Sequence, residues 1–169
     1  MISSIDFSLM HKVQRWSAPR WVRVWMICAT RGGDGWLWYA MALWVVLFGG
    51  SDKWLALGAM LSSISTGTAL YLLVKKATRR RRPCHIEPHC WSTLLPPDQF
   101  SFPSGHTITA FAATVPLCAF YPELTVGLGF CALSVALSRI ILGMHFLSDV
   151  LVGAAVGSLL GWLAVSLWY

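Results

Sequence analysis

Apolar residues gather in long runs along this chain instead of alternating with polar ones. Trp54 to Val74 is one such run. A helix needs about 20 residues to cross a bilayer core, and this stretch supplies them. Residues 105–121, 124–142 and 147–168 form three more runs. Trp36 to Gly50 is shorter, with room to begin upstream. Residues 4–16 read differently. Ile5, Leu9, Val13 and Trp16 recur at helical spacing among His11, Lys12, Gln14 and Arg15, so an amphipathic helix lying in the membrane interface is expected there. Pro19 ends it. Residues 20–31 mix Arg20, Arg23 and Arg31 with Trp21, Trp25 and Met26, a second interfacial segment leading into a span.

Turn residues punctuate these runs. Arg31-Gly32-Gly33-Asp34-Gly35 predicts a turn, Ser51-Asp52-Lys53 a tight loop and Pro122-Glu123 another turn, while Pro116 predicts a kink within its span. Lys75 to Phe102 is a polar loop containing Pro83, Pro88, Pro96 and Pro97. The span from Trp54 carries Ser62, Ser63, Thr66 and Gly67, and the last span carries Gly153, Gly157 and Gly161 on the face of Asp149. Small residues let membrane helices approach closely, so that glycine face should pack against a neighbour and hold Asp149 in place. The expectation is an all-α, polytopic membrane helix bundle. It forms one membrane-embedded domain over 1–169, with 1–35 interfacial and 36–168 holding about five transmembrane helices.

Composition agrees. Of the 169 residues, 56% are hydrophobic and 12% charged, which excludes an ordinary soluble domain. Ten Trp suit membrane–water interfaces. The start, Met1 to Asp6, lacks the basic and apolar regions of a cleavable signal peptide. The net charge of +6 flanks apolar spans, which makes membrane lipids the expected partners and not nucleic acid. Cys28, Cys118 and Cys131 sit in apolar surroundings as packing residues.

With five spans, residues 1–35, the loop at 75–104 and the turn at 143–146 share one side. Three polar constellations meet there. Lys75 and Arg82 are two helical turns apart and share a face if their helix continues up to Pro83. Arg79, Arg80 and Arg81 read as a lipid-phosphate anchor. Ser104-Gly105-His106 opens a span: Ser104 is a good N-cap, Gly105 lets the backbone approach an anion, and free N–H groups at a helix start bind phosphate. Arg139, His145 and Asp149 follow. His145 and Asp149 lie one helical turn apart, and a carboxylate beside an imidazole fixes its tautomer. Asp34 either pairs with Arg31 or lines the site.

Lys75-(six residues)-Arg82-Pro83, Pro103-Ser104-Gly105-His106 and Ser138-Arg139-(five residues)-His145-(three residues)-Asp149 together resemble the tripartite signature of the type 2 phosphatidic acid phosphatase superfamily. The resemblance covers about residues 54–165 and implies the membrane lipid phosphatase branch. It further implies that His145 attacks phosphorus to form a phosphohistidine, Asp149 orients His145, and His106 protonates the leaving oxygen and then activates water. Lys75, Arg82, Ser104, Gly105 and Arg139 would cradle the phosphate, with no metal and no cofactor. The implied substrate is a lipid phosphate or diphosphate: phosphatidic acid, phosphatidylglycerol phosphate or undecaprenyl diphosphate. A lipid phosphotransferase using the same intermediate and a non-catalytic phospholipid-binding protein are the alternatives. Cys84 to Cys90 matches no common zinc pattern, and a Cys84–Cys90 disulfide fits an oxidising compartment. Of 13 Lys and Arg, all but Lys53 fall on the site's side, which the positive-inside rule assigns to the cytoplasm. Bacterial members of the family face the periplasm. The expectation follows the family: a multi-pass inner-membrane protein with its site facing the periplasm or outside.

Overall fold

The computed structural model describes residues 4–86 and 99–169, and nearly all of them are helical. The helices are α1 (Ser4–Arg15), α2 (Arg20–Arg31), α3 (Leu37–Phe48), α4 (Lys53–Thr78), α5 (Pro83–Ile86), α6 (Gly105–Phe120), α7 (Thr125–Ile141) and α8 (Leu147–Trp168). Their bounds follow the apolar runs closely. Three helical stretches, Gly50–Thr78, Pro122–Ile141 and Leu147–Trp168, are long and apolar enough to cross a membrane. The two remaining expected spans are shorter helices, α3 and α6.

Helix α6 is the hub, packed against α4, α7 and α8. Its Ile108, Ala110, Ala112, Ala113 and Leu117 are wholly buried. Small residues set the spacing, as the glycine face predicts. A Cβ on Gly157 would stand 2.5 Å from the Ile108 carbonyl oxygen, and one on Gly161 would stand 2.8 Å from Val115 Cβ. On the α4 side, Ser63 Oγ donates to the Ala112 carbonyl at 2.7 Å. The outer faces carry Val126, Leu133, Leu151, Leu159 and Trp162, all exposed, as a lipid-facing perimeter requires.

Two local expectations take a definite form. The turn expected at residues 31–35 is present as a π turn over residues 32–36 that kinks the chain between α2 and α3, with non-helical backbone at Gly35. The Gly32 N–H reaches the carbonyls of Cys28 and Ala29 and so closes the end of α2. The bend falls at Gly35, whose φ of 124° suits glycine alone. Helix α2 also buries Val22, Met26 and Thr30, and Trp25 stacks on Phe130 of α7, with ring centroids 5.7 Å apart.

The second concerns α4. It stops at Thr78, short of Pro83, and Arg79 turns left-handed with φ 48°. Residues 80–82 run extended, with Arg81 bridged to Phe100 and the Ser101 N–H donating to the Arg80 carbonyl at 2.7 Å. Lys75 and Arg82 therefore do not share a helix face. The early stop carries Arg80 and Arg82 inward, where buried acceptors meet both.

Candidate active site

One cavity of about 470 Å³ opens at the end of the bundle where the loops gather. Lys75, Arg82, Gly105, His106, Arg139 and His145 all line it. Trp38, Tyr39, Met60, Leu61 and Ile64 make much of the remaining wall. Six of the eight residues singled out from the sequence thus meet at one space. The other two, Ser104 and Asp149, are fully buried behind it.

Each wall residue has a local reason for its place. Lys75, in the last turn of α4, is buried, with Nζ 5.4 Å from the centre of the Tyr71 ring. Tyr71 also backs the start of α6, where a Cβ on Gly105 would meet its ring at 3.2 Å. Glycine therefore lets the first turn of α6 settle on that ring, with Gly105 and His106 lining the cavity. Ser104 takes the N-cap position without capping. Its hydroxyl bonds the Thr107 hydroxyl at 2.8 Å, and its N–H donates to the Asp149 carbonyl at 3.2 Å. That last contact ties the starts of α6 and α8 together.

His145 owes its position to the end of α7. Gly143 adopts φ 68°, and the N–H groups of Met144 and His145 both return to the Arg139 carbonyl at 3.0 Å. This tight turn puts Arg139 and His145 side by side. Arg139 Nη1 donates to Thr30 Oγ1 of α2.

The tautomer of His145 follows from its partners. Arg82 Nη1 lies 3.0 Å from His145 Nε2 and 3.0 Å from the Met144 carbonyl. A guanidinium can only donate, so Nε2 is an acceptor and the ring proton sits on Nδ1. Nδ1 faces Asp149 Oδ2 at 3.5 Å, longer than a hydrogen bond. Burial, and then the charges of Arg139, Arg82 and Lys75, push the imidazole pKa well below its usual value. His145 is neutral at pH 7, with a lone pair on Nε2.

A family model described as the PAP2 superfamily matches residues 53–169. The chain belongs to the PAP2 superfamily. Among curated PAP2-like relatives, the decaprenylphosphoryl-5-phosphoribose phosphatase of Mycobacterium tuberculosis is 36% identical over 130 residues, covering 75% of this chain and 68% of that protein. The lipid A 1-phosphatase of Rhizobium etli is 32% identical over 97 residues, covering 55% and 40%. The fold is similar to that of LpxE from Aquifex aeolicus, with a TM-score of 0.83, 23% identity and 97% and 96% of the two chains covered. It also resembles the phosphatidylglycerolphosphate phosphatase of Bacillus subtilis, with a TM-score of 0.75, 26% identity and 97% and 84% covered. These relatives make the protein membrane-embedded and its enzyme class a hydrolase of phosphoric esters.

Three residues outside the PAP2-matched region reach the site, and sequence reasoning gave none of them a fixed role. Asp34, in the π turn, lines the cavity and accepts from His106 Nε2 at 2.6 Å. Thr30 accepts from Arg139. Asp6 of α1 is buried and accepts from Arg80 Nη2 at 2.7 Å. Arg80 itself refines an expectation: its guanidinium is engaged inside the protein. Its Nη1 donates to Asp149 Oδ1 at 2.9 Å and its guanidinium stacks 4.4 Å from the Phe146 ring centre. The signal for Asp34 was its position, one of seven acidic residues and set between glycines. Arg80 carried no signal within a run of identical residues. The Cys84–Cys90 pairing involves Cys90, which lies outside the described residues.

Proposed function

We propose that this protein removes the terminal phosphate from a membrane lipid phosphate or diphosphate through a phosphohistidine at His145. The observation that carries the reading is a cavity in which three cations, a helix N-terminus and two histidines share space with an aromatic and aliphatic wall. The cations suit a phosphate, and the apolar wall suits the lipid that bears it.

In this mechanism Lys75, Arg82 and Arg139 hold the phosphoryl oxygens, and the first N–H groups of α6 complete the cradle. Neutral His145 attacks through Nε2, and the phosphorus–oxygen bond to the lipid breaks. His106 protonates the departing oxygen, then takes a proton from the water that cleaves the phosphohistidine. Asp149 favours the Nδ1–H tautomer and the cation that forms on attack. Ser104 acts indirectly, by fixing the start of α6 against α8. Charge is balanced by side chains, so no metal is required. Phosphatidic acid, phosphatidylglycerol phosphate and undecaprenyl diphosphate are the candidate substrates, the last supported by the polyprenyl substrate named for the mycobacterial relatives.

Phosphate release in detergent, measured over these lipids, tests the reading. Release that depends on His145 and survives chelator is expected. Release that survives His145→Ala and dies with chelator overturns the mechanism.

The site end is proposed to face the periplasm. The cation excess there points the other way, yet Lys75, Arg82 and Arg139 line the cavity and Arg80 is bound in a buried ion-pair network, so these four do not report on topology. Labelling of partly exposed Cys84 from outside intact cells tests the orientation.

A further inference from the structure

We infer that Asp6, on the amphipathic helix α1, is a positioning residue for the His145–Asp149 pair and acts through Arg80. The inference rests on the lipid phosphatase reading above and adds a residue that no signature motif contains.

The contacts form one connected chain. Asp6 Oδ2 takes Arg80 Nη2 and the Ser148 hydroxyl, each at 2.7 Å, and Asp6 Oδ1 takes the Ser148 N–H at 3.0 Å. Arg80 Nη1 goes on to Ser148 Oγ at 2.8 Å and Asp149 Oδ1 at 2.9 Å. Asp149 Oδ2 takes the Phe146 N–H at 2.8 Å. Both carboxylates are almost wholly buried, with side-chain exposures of 3% and 0%. Burial would raise the Asp6 pKa, but the bonds from Ser148 and the Arg80 charge bring it below the ordinary carboxylate value, so it is ionised at neutral pH.

This arrangement has a directional consequence. Arg80 is the only described cation bonded to Asp149, and it is clamped between two carboxylates. Without Asp6 its fork is free to close on both Asp149 oxygens, which would draw Oδ2 away from Nδ1 of His145. With Asp6 present, one Arg80 nitrogen is engaged elsewhere and Oδ2 stays on the histidine side. The Ser148 N–H bond also fixes the first turn of α8, from which Asp149 projects.

A merely structural Asp6 would lower activity by the same factor in any background, so the test is a mutant cycle. The kcat of purified protein is measured in detergent on the lipid of the panel above that the wild type hydrolyses best. Asp6→Asn is expected to lower kcat about tenfold with KM within twofold, and Asp6→Glu to recover most of the loss. In an Arg80→Gln background, Asp6→Asn should change kcat less than twofold. An equal fold-loss in both backgrounds overturns the inference, as does an unchanged kcat in Asp6→Asn alone. If Asp6→Asn does not fold, as read by its melting in the same detergent, Asp6→Gln against Asp6→Glu makes the same comparison. The functional reading fails separately: wild-type kcat in Asp149→Asn, or no phosphate release from any lipid by the wild type, sinks that reading whatever Asp6 does.

Discussion

Asp34 and His106 meet at the cavity wall, Oδ1 to Nε2, at 2.6 Å. They come from distant parts of the chain, the π turn and the first turn of α6. Gly33 makes the approach possible, because a Cβ there would stand 2.9 Å from Val135 and 3.5 Å from His106. A carboxylate at this distance orients the imidazole and fixes the proton on Nε2. Asp34→Asn is expected to lower kcat by roughly 10- to 100-fold, no more than the smallest contribution of a well-placed acid–base group, because Asp34 acts through His106. Steady-state kinetics on the hydrolysed lipid checks this, and a kcat within twofold of wild type counts against a role for the pair.

His145→Ala should bring turnover to background, a loss of at least about 10³-fold, if the phosphoryl group passes through His145 Nε2 as proposed. Chelator should leave the wild type unchanged. Rapid acid-free quenching with labelled substrate should trap label on the wild-type protein and none on this variant.

Arg82→Lys keeps the charge but loses the fork that reaches both Met144 and His145. Lysine offers a point charge where a planar pair of donors is needed. The expected loss is about 10²-fold in kcat/KM, or about 2.7 kcal/mol of transition-state stabilisation. Retention of wild-type kcat/KM would show that charge alone suffices.

Gly157→Ala should destabilise the bundle by about 1–3 kcal/mol, because the new methyl meets a backbone oxygen that cannot give way. Gly127 and Gly129 have open space around their Cβ positions, so alanine at either should cost nothing or stabilise α7 slightly. Thermal unfolding of the three variants in one detergent separates the two outcomes.

Asp6 makes stability depend on pH in a definite direction. Its native pKa is depressed, so its contribution is present above the ordinary carboxylate pKa of about 4 and fades as pH falls through the native value. The melting advantage of wild type over Asp6→Asn should therefore hold at pH 6–7 and shrink below about pH 4. An advantage that persists unchanged at low pH would mean that the carboxylate charge is not what stabilises the α1 contact.

Most of the fold was legible because the bilayer imposes a coarse rule: long apolar runs become helices, and the breaks between them become turns. The helix bounds of α4, α6, α7 and α8 lie close to those runs for this reason. The six cavity-lining signature residues were legible because their spacing is fixed chemistry. What escaped was local. The glycine-rich stretch announces a turn, but not that its kink at Gly35 sets Asp34 against His106. The stop at Thr78 falls between the end of the apolar run at Val74 and the proline at 83, and nothing in residues 75–82 marks where between them the helix ends. The partners of Arg80 and Asp34 depend on tertiary approach, which neither spacing nor composition encodes.

The bond from Arg82 to His145 Nε2 bears on what this site will and will not react with. The Nε2 lone pair of His145 is covered by an Arg82 N–H that the Met144 carbonyl shares. A phosphate brings three oxygens able to take that donor, so its arrival both engages the cation and uncovers the nitrogen. A neutral alkylating agent brings no such exchange and meets a masked imidazole. On the proposed mechanism the cavity would discriminate by charge before shape, with Arg82 both gripping the phosphate and shielding His145 from small neutral electrophiles.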